Sequence, residues 1–232
     1  MKQSSSLGIP AFLHALLTTV AWLLLWPLPI SGCSSPLGFD TAKLQQFMQV
    51  QYGSRGVQAL DSWLGMLNQG AKQSEQLQLQ TVNTFWNEIM LSSSDSVVWG
   101  EIDHWATPLE SLGKRAGDCE DFVIGKYFSL IRLGMPAEKL RLIYVRAHQS
   151  GLGSSTAHMV LGFYETPDAD PLILDSLMGD TLPASQRQDL TPVFSFNKLG
   201  IYVTGANQTP PVERISRWRG LVERMRKEGF MP

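Results

Sequence analysis

The sequence predicts an α+β domain, with a helical first part and an antiparallel sheet after it. Three observations predict this. Apolar residues recur at helical spacing through residues 44–91 and again through residues 122–131. From residue 140 the period shortens towards two, in residues 140–146 and 157–164. Helices and strands thus come in separate runs, the order of an α+β domain and not of a parallel α/β sheet.

The chain begins with a targeting segment. Residues 3–39 carry no charged side chain, and residues 11–30 are apolar apart from His14, Thr18 and Thr19, with Lys2 ahead and Ser31-Gly32 behind. This is the order of a secretory signal. Export to the periplasm is expected, with residues 1–33 as signal peptide or anchor and residues 34–232 as one domain. Three fates fit the leader. Pro27 and Pro29 favour cleavage. A run of ~20 apolar residues is long enough to stay as a membrane anchor. Ile30-Ser31-Gly32-Cys33 resembles a lipoprotein signal, with Cys33 as the lipidated residue.

The helical part is expected over residues 40–91. Asp40 or Thr41 caps a helix carrying Leu44, Phe47 and Met48, which Gly53 ends. A second covers residues 57–67, with Leu60, Trp63, Leu64 and Leu67 on one face. A third runs over residues 74–91, with Leu77, Val82, Phe85, Trp86 and Ile89 inward. Residues 92–95 read as a loop. Thr107-Pro108-Leu109-Glu110 is a capping box with proline at the first helical position. The central helix starts at Asp118 or Cys119 and stops at Gly134. Strands follow at residues 140–146, 157–164, 172–175, 193–196 and 201–203, within a core expected over residues 97–204. A mobile hairpin loop is expected over residues 150–155. A last helix covers residues 212–228, its basic residues on a solvated face and Ile215, Trp218 and Val222 inward.

Composition excludes some functions. Hydrophobic residues make up 44% and charged residues 17%, and the formal net charge is −2. A chain so near neutrality has no bulk attraction for nucleic acid. Two cysteines, Cys33 and Cys119, cannot build a disulfide framework or a multi-cysteine zinc module.

Chemistry converges on Cys119. Gly117-Asp118-Cys119-Glu120-Asp121 opens the central helix. Free N–H groups and partial positive charge at a helix start favour a thiolate and can hold an oxyanion. Asp118, Glu120 and Asp121 oppose a thiolate unless something neutralises them, and their hard oxygens suit calcium. Taken alone, such a cysteine is more often a small buried hydrophobe, and such carboxylates more often serve the helix dipole. His158 lies within a strand and Asp175 ends the next one. Together with Cys119 they supply nucleophile, base and orienting carboxylate. His104 and His148 read as surface or substrate-rim residues.

These residues carry a resemblance. Gly117-Asp118-Cys119-Glu120-Asp121-Phe122, Ala157-His158-Met159-Val160-Leu161 and Leu172-Ile173-Leu174-Asp175 resemble the bacterial transglutaminase-like cysteine proteases, the LapG-type periplasmic adhesin proteases. Asp103-His104-Trp105, Thr107-Pro108-Leu109-Glu110 and Phe194-Ser195-Phe196-Asn197 extend the match. The resemblance implies a papain-like, transglutaminase-type core with the triad Cys119, His158 and Asp175. It implies calcium (Ca2+) held by Asp118 and Glu120, with Asp121. It also implies cleavage of the N-terminal region of a large secreted adhesin, release of biofilm, and inhibition by an inner-membrane cyclic di-GMP receptor. The lipoprotein-like Ile30-Ser31-Gly32-Cys33 departs from the family's soluble members and points to membrane association through the N-terminus. The triad alone also serves acyl transfer to an amine, as in transglutaminases. A calcium-dependent binding module without activity is the non-enzymatic alternative, which an intact triad disfavours.

Overall fold

A computed structural model describes residues 37–148, 154–203, 212 and 215–232. The leader, most of the expected loop at residues 150–155 and residues 213 and 214 lie outside the described residues, and the last helix, expected from residue 212, begins at Ser216. In chain order the elements are β1 (Gly38–Phe39), α1 (Thr41–Gly70), α2 (Glu75–Ile89), β2 (Leu91–Ser92), α3 (Asp95–Val98), α4 (Pro108–Lys114), β3 (Ala116–Gly117) and α5 (Cys119–Arg132). They continue with β4 (Leu140–His148), β5 (Ser155–Phe163), β6 (Leu172–Leu174), β7 (Leu182–Pro183), β8 (Leu190–Asn197), β9 (Gly200–Tyr202), α6 (Ser216–Glu228) and β10 (Phe230–Met231).

The helical part comes first and an antiparallel sheet follows, as the change of period predicts. The six-stranded sheet has the order β7-β6-β5-β4-β8-β9. All of its pairings are antiparallel. Side chains alternate across it. Leu140, Leu142, Met159, Leu161, Leu174 and Phe196 join the main core, while Ile143, Val145, Val160 and Ile173 form a second cluster.

Local sequence accounts for the element boundaries. Asp40 caps α1 by accepting from the Ala42 and Lys43 N–H groups. Gly53, at φ 63° and ψ −158°, is non-helical, so α1 is two helical segments joined at a kink, the break and the second helix both falling where the sequence predicts them. Thr107 and Glu110 form the expected capping box, with Pro108 at the start of α4. In α2 the inward set differs from the expected one: Leu77 is half exposed, while Leu79, Val82 and Trp86 are buried. The reason is phase, because Leu79, Val82 and Trp86 are spaced three and four apart. Along α6 the buried residues are Trp218, Leu221, Met225 and Glu228. Two of its basic residues pair within the chain, Arg217 with Asp103 at 2.6 Å and Arg224 with Glu110 at 3.3 Å.

The helix α5 is the centre of the domain. It touches α2 and α4 on one side and β4 and β5 on the other. Every residue from Asp121 to Ile131 is buried, as expected for a helix with neighbours all round. Its polar groups are satisfied locally: the Ser129 hydroxyl accepts from Trp63 Nε1 at 2.8 Å and Trp86 Nε1 at 2.9 Å, and donates to the Gly125 carbonyl at 2.7 Å. The Trp86 ring lies so close to Gly125 that a Cβ there would meet it at 2.6 Å.

Lys126, like Asp121 at the start of the helix, is an exception. Its side chain is fully buried and its Nζ has no hydrogen-bond partner among the described residues. Burial pushes its pKa down to about 7, the charge of Asp175 opposing the fall. The folded protein therefore bears a cost at low pH that the unfolded chain does not. The cost is full below about pH 7 and fades as pH rises towards the ordinary lysine value near 10.5. Lys126→Met is expected to raise the melting temperature, because an apolar residue replacing a buried charge can gain about 1–4 kcal/mol. The gain should be largest below pH 7 and shrink at pH 9–10. Melting curves across that range check the sign.

Candidate active site

Cys119 occupies the first position of α5, with Asp118 as N-cap accepting from the Glu120 N–H. The strand β3 leads straight into this turn and is itself held in parallel pairing by β2, Leu91 opposite Ala116 and Ser92 opposite Gly117. The nucleophile candidate thus sits on a turn braced on both sides. The expectation of a plain loop over residues 92–95 does not hold. Leu91–Ser92 is a strand, and Asp95 is the first residue of a short helix.

His158 and Asp175 come together. In the pairing of β5 with β6, Leu161 faces Leu174 and Gly162 faces Ile173. Continuing that register sets Asp175 opposite Val160, two positions from His158, within diagonal reach. His158 Nε2 lies 2.7 Å from Asp175 Oδ1, with the pair 6% and 0% exposed. The same oxygen accepts from the Leu177 N–H at 3.0 Å, and Oδ2 accepts from Arg187 Nη2 at 2.8 Å. Burial pushes the Asp175 pKa up, but the bonds from His158, Leu177 and Arg187 outweigh it and hold the carboxyl below its usual range. With Nε2 engaged, Nδ1 is the ring nitrogen left to take a proton.

The sulfur of Cys119 packs against β5, near enough to the Met159 backbone N–H for that group to favour its ionised form. Its thiol donates to Glu120 Oε2 at 2.7 Å. Burial, followed by the Glu120 and Asp118 charges, drives the thiol pKa well above its usual range. In this arrangement the thiol is held protonated, as the charge count around it predicts.

The three expected metal ligands divide. Asp118 and Asp121 converge with Asp95, and one oxygen from each of the three lies within 4.8 Å of the others. Glu120 lies outside this group, its carboxylate turned to the sulfur. Helix geometry brings Asp118 and Asp121, three apart, onto one face, while the Glu120 carboxylate lies between the Cys119 sulfur and the Asp118 carboxylate, in contact with both. Asp95 carried no signal linking it to Asp118 in the sequence and was missed. Its only local mark is the Ser94-Asp95 helix start.

Oxygens spaced this way suit a cation with bonds of about 2.3–2.6 Å, the calcium range. The chemistry of the group also fits one. Asp95 Oδ1 and Asp121 Oδ2 are buried without a hydrogen-bond partner among the described residues. Burial, then the Glu120 and Asp95 charges, pushes the Asp118 pKa up to about 8, and burial lifts Asp121 and Asp95 as well. Buried carboxylates without a counter-charge need a cation or a proton. Gly117 is part of this site too: a Cβ there would run into the Asp121 carboxylate and meet its Cβ at 2.8 Å.

The other histidines stand apart from this chemistry. His104 is braced between Glu101 and Glu110 at 3.2 and 3.3 Å and stacks on Trp99. Its backbone N–H donates to Asp95 Oδ2 at 2.6 Å, so it supports the acidic group through its main chain. His148 is exposed and 3.0 Å from the Thr191 hydroxyl.

The family model described as bacterial transglutaminase-like cysteine proteinase matches residues 64–188. No curated protein matches the chain. Among solved structures, Legionella pneumophila LapG in its EGTA-treated form is 35% identical, covers 82% of this chain and 100% of its own, and superposes with a TM-score of 0.71. The calcium-bound form of the same protein is 35% identical over 80% of this chain and 99% of its own, with a TM-score of 0.68. With the matched segment spanning α5 and the pair on β5 and β6, the chain belongs to the bacterial transglutaminase-like cysteine proteinases and is a cysteine protease.

Proposed function

We propose that the chain is a calcium-dependent endopeptidase of the periplasm that cuts the N-terminal region of a large secreted adhesin, with Cys119 as nucleophile, His158 as base and Asp175 as its orienting partner. The observation that carries this reading is the buried His158–Asp175 pair beside a cysteine at a helix start. The resemblance to LapG-type proteases supplies the substrate class, the link to biofilm release and the inhibition by an inner-membrane cyclic di-GMP receptor. The charge-free leader motivates export, with membrane association where the leader is retained or lipidated at Cys33.

The chain's residues divide the work as follows. The Cys119 thiol gives its proton to His158 Nδ1, and the sulfur attacks the peptide carbonyl. N–H groups of the first turn of α5 hold the oxyanion. The C–N bond breaks as the leaving amine takes the proton from His158, which leaves an acyl thioester on the sulfur. A water then loses a proton to His158, attacks the thioester and frees the thiol. Asp95, Asp118 and Asp121 would hold the calcium, which supplies the positive charge that keeps their carboxylates ionised and the turn before Cys119 in place. Glu120 must release the sulfur before attack.

The test is co-expression with an adhesin N-terminal fragment in a periplasm supplied with calcium. Cleavage should occur with the wild-type chain and vanish with Cys119→Ala. Cleavage that persists in Cys119→Ala overturns the assignment.

A further inference from the structure

The carboxylate that orients His158 is itself held, and the residues that hold it are not among those the sequence singles out. Asp175 is fully buried. One oxygen serves His158 and the Leu177 N–H, and the other accepts from Arg187 Nη2 at 2.8 Å. Arg187 is 4% exposed. It is gripped in turn by Asp189, with Nε 2.9 Å from Oδ1 and Nη2 2.8 Å from Oδ2. Arg187 also lines an open cavity on the sheet face away from the main core, shared with the aliphatic cluster of Ile143, Val145, Val160 and Ile173 and with Arg141 and Tyr164.

We propose that Arg187, locked by Asp189, is a positioning residue of the active site: it fixes the plane of the Asp175 carboxylate and keeps His158 protonated on Nε2, so that Nδ1 stays free to take the proton of Cys119. The proposal rests on the reading of His158 as the base. A carboxylate bonded through one oxygen alone can turn about its Cβ–Cγ bond, and a buried one with an unpaired oxygen tends to take up a proton. A protonated or turned Asp175 no longer dictates the tautomer of the ring. An arginine suits the task because its planar fork reaches both carboxylates at once and does not lose its charge in the working pH range. The charged groups facing Asp175 are His158 from β5, Arg187 from the segment before β8, and Lys126 from α5. Burial lowers the Lys126 pKa to about 7, so Arg187 is the one permanent cation of the three, and it is hydrogen-bonded to the carboxylate.

The experiment uses the full chain labelled with 15N-histidine, in wild type, Arg187→Met and Asp189→Ala, together with kinetics on the adhesin fragment. In the wild type His158 should show a protonated Nε2 with a strongly downfield proton. In Arg187→Met that signal should be lost or mixed with the other tautomer. The same variant should lose ten- to a hundredfold in kcat, keep KM within twofold, and show an acid limb of the pH–rate profile moved to higher pH, because Asp175 then gives up its proton later. Asp189 has a side chain 44% exposed, so its alanine variant should fold even where Arg187→Met does not, and should show the same changes at a smaller size. A wild-type tautomer and pH profile in folded Arg187→Met, or in Asp189→Ala where Arg187→Met does not fold, would overturn the proposal while leaving the protease reading standing. A wild-type chain with the Arg187-dependent Nε2 proton but no cleavage would instead overturn the reading of the function.

Discussion

Chelation is expected to silence cleavage and to lower the melting temperature together, both restored by calcium and poorly by magnesium. Asp95, Asp118 and Asp121 form no ion pair with a basic residue among the described residues, and two of their oxygens are buried without partners. Binding of an ion to the folded state alone adds about 2.7 kcal/mol at a hundredfold excess over Kd, or roughly 5–10 °C for a chain of this size. Magnesium demands a tighter octahedron and dehydrates reluctantly, so three carboxylates at this spacing should hold it weakly. Asp95→Asn, Asp121→Asn and Gly117→Ala should each reduce the calcium-induced rise in melting temperature, the last by displacing the Asp121 side chain. Glu120→Gln should reduce that rise too, by less than Asp121→Asn, since its carboxylate touches Asp118 as well as the sulfur. Full activity in excess chelator with an unchanged melting temperature would show that the three carboxylates serve only to cap and brace the helix start.

Asp175→Asn is expected to lower kcat by about 10^3–10^4-fold with the fold kept. The new amide would turn its oxygen to Arg187 and its NH2 to His158, because Arg187 can only donate. The ring nitrogen Nε2 would then have to accept, and the proton would sit on Nδ1, the atom that has to receive one from Cys119. His158→Ala should cost at least as much, since it removes the base itself. KM should change little in either variant, because neither side chain is asked to bind substrate. Circular dichroism and melting curves separate this loss from unfolding, and single-turnover kinetics locate it in acylation. A loss of less than tenfold in Asp175→Asn would mean that the ring is oriented by something other than this carboxylate.

How much of this was legible beforehand depended on range along the chain. The capping box at Thr107, the start of α5 at Cys119 and the strands at β4 and β5 follow from signals within four or eight residues, and the structure has them there. The break at Gly53 and the helix beyond it are local signals too, a glycine at φ 63° followed by Leu60, Trp63, Leu64 and Leu67 at helical spacing. The inward face of α2 departs from the expected one at Leu77, since two apolar stripes were available and only the neighbours choose between them.

In the site, the sequence by itself determined the residue types and the helix start: a cysteine with carboxylates at a helix N-terminus, followed by a histidine and an aspartate on successive strands. Tertiary structure decided which of them meet. Strand register brings His158 onto Asp175, helix phase sets Asp118 and Asp121 on one face, and a short helix far from the motif in sequence delivers Asp95. Arg187 and Lys126 belong to the same class: ordinary basic residues by sequence, given their meaning by burial beside Asp175. The physical reason is common to all of these. Periodicity and caps are set by local backbone geometry and can be read along the chain, whereas charge compensation in a buried site is set by which side chains the packed core leaves facing one another, and that requires the fold.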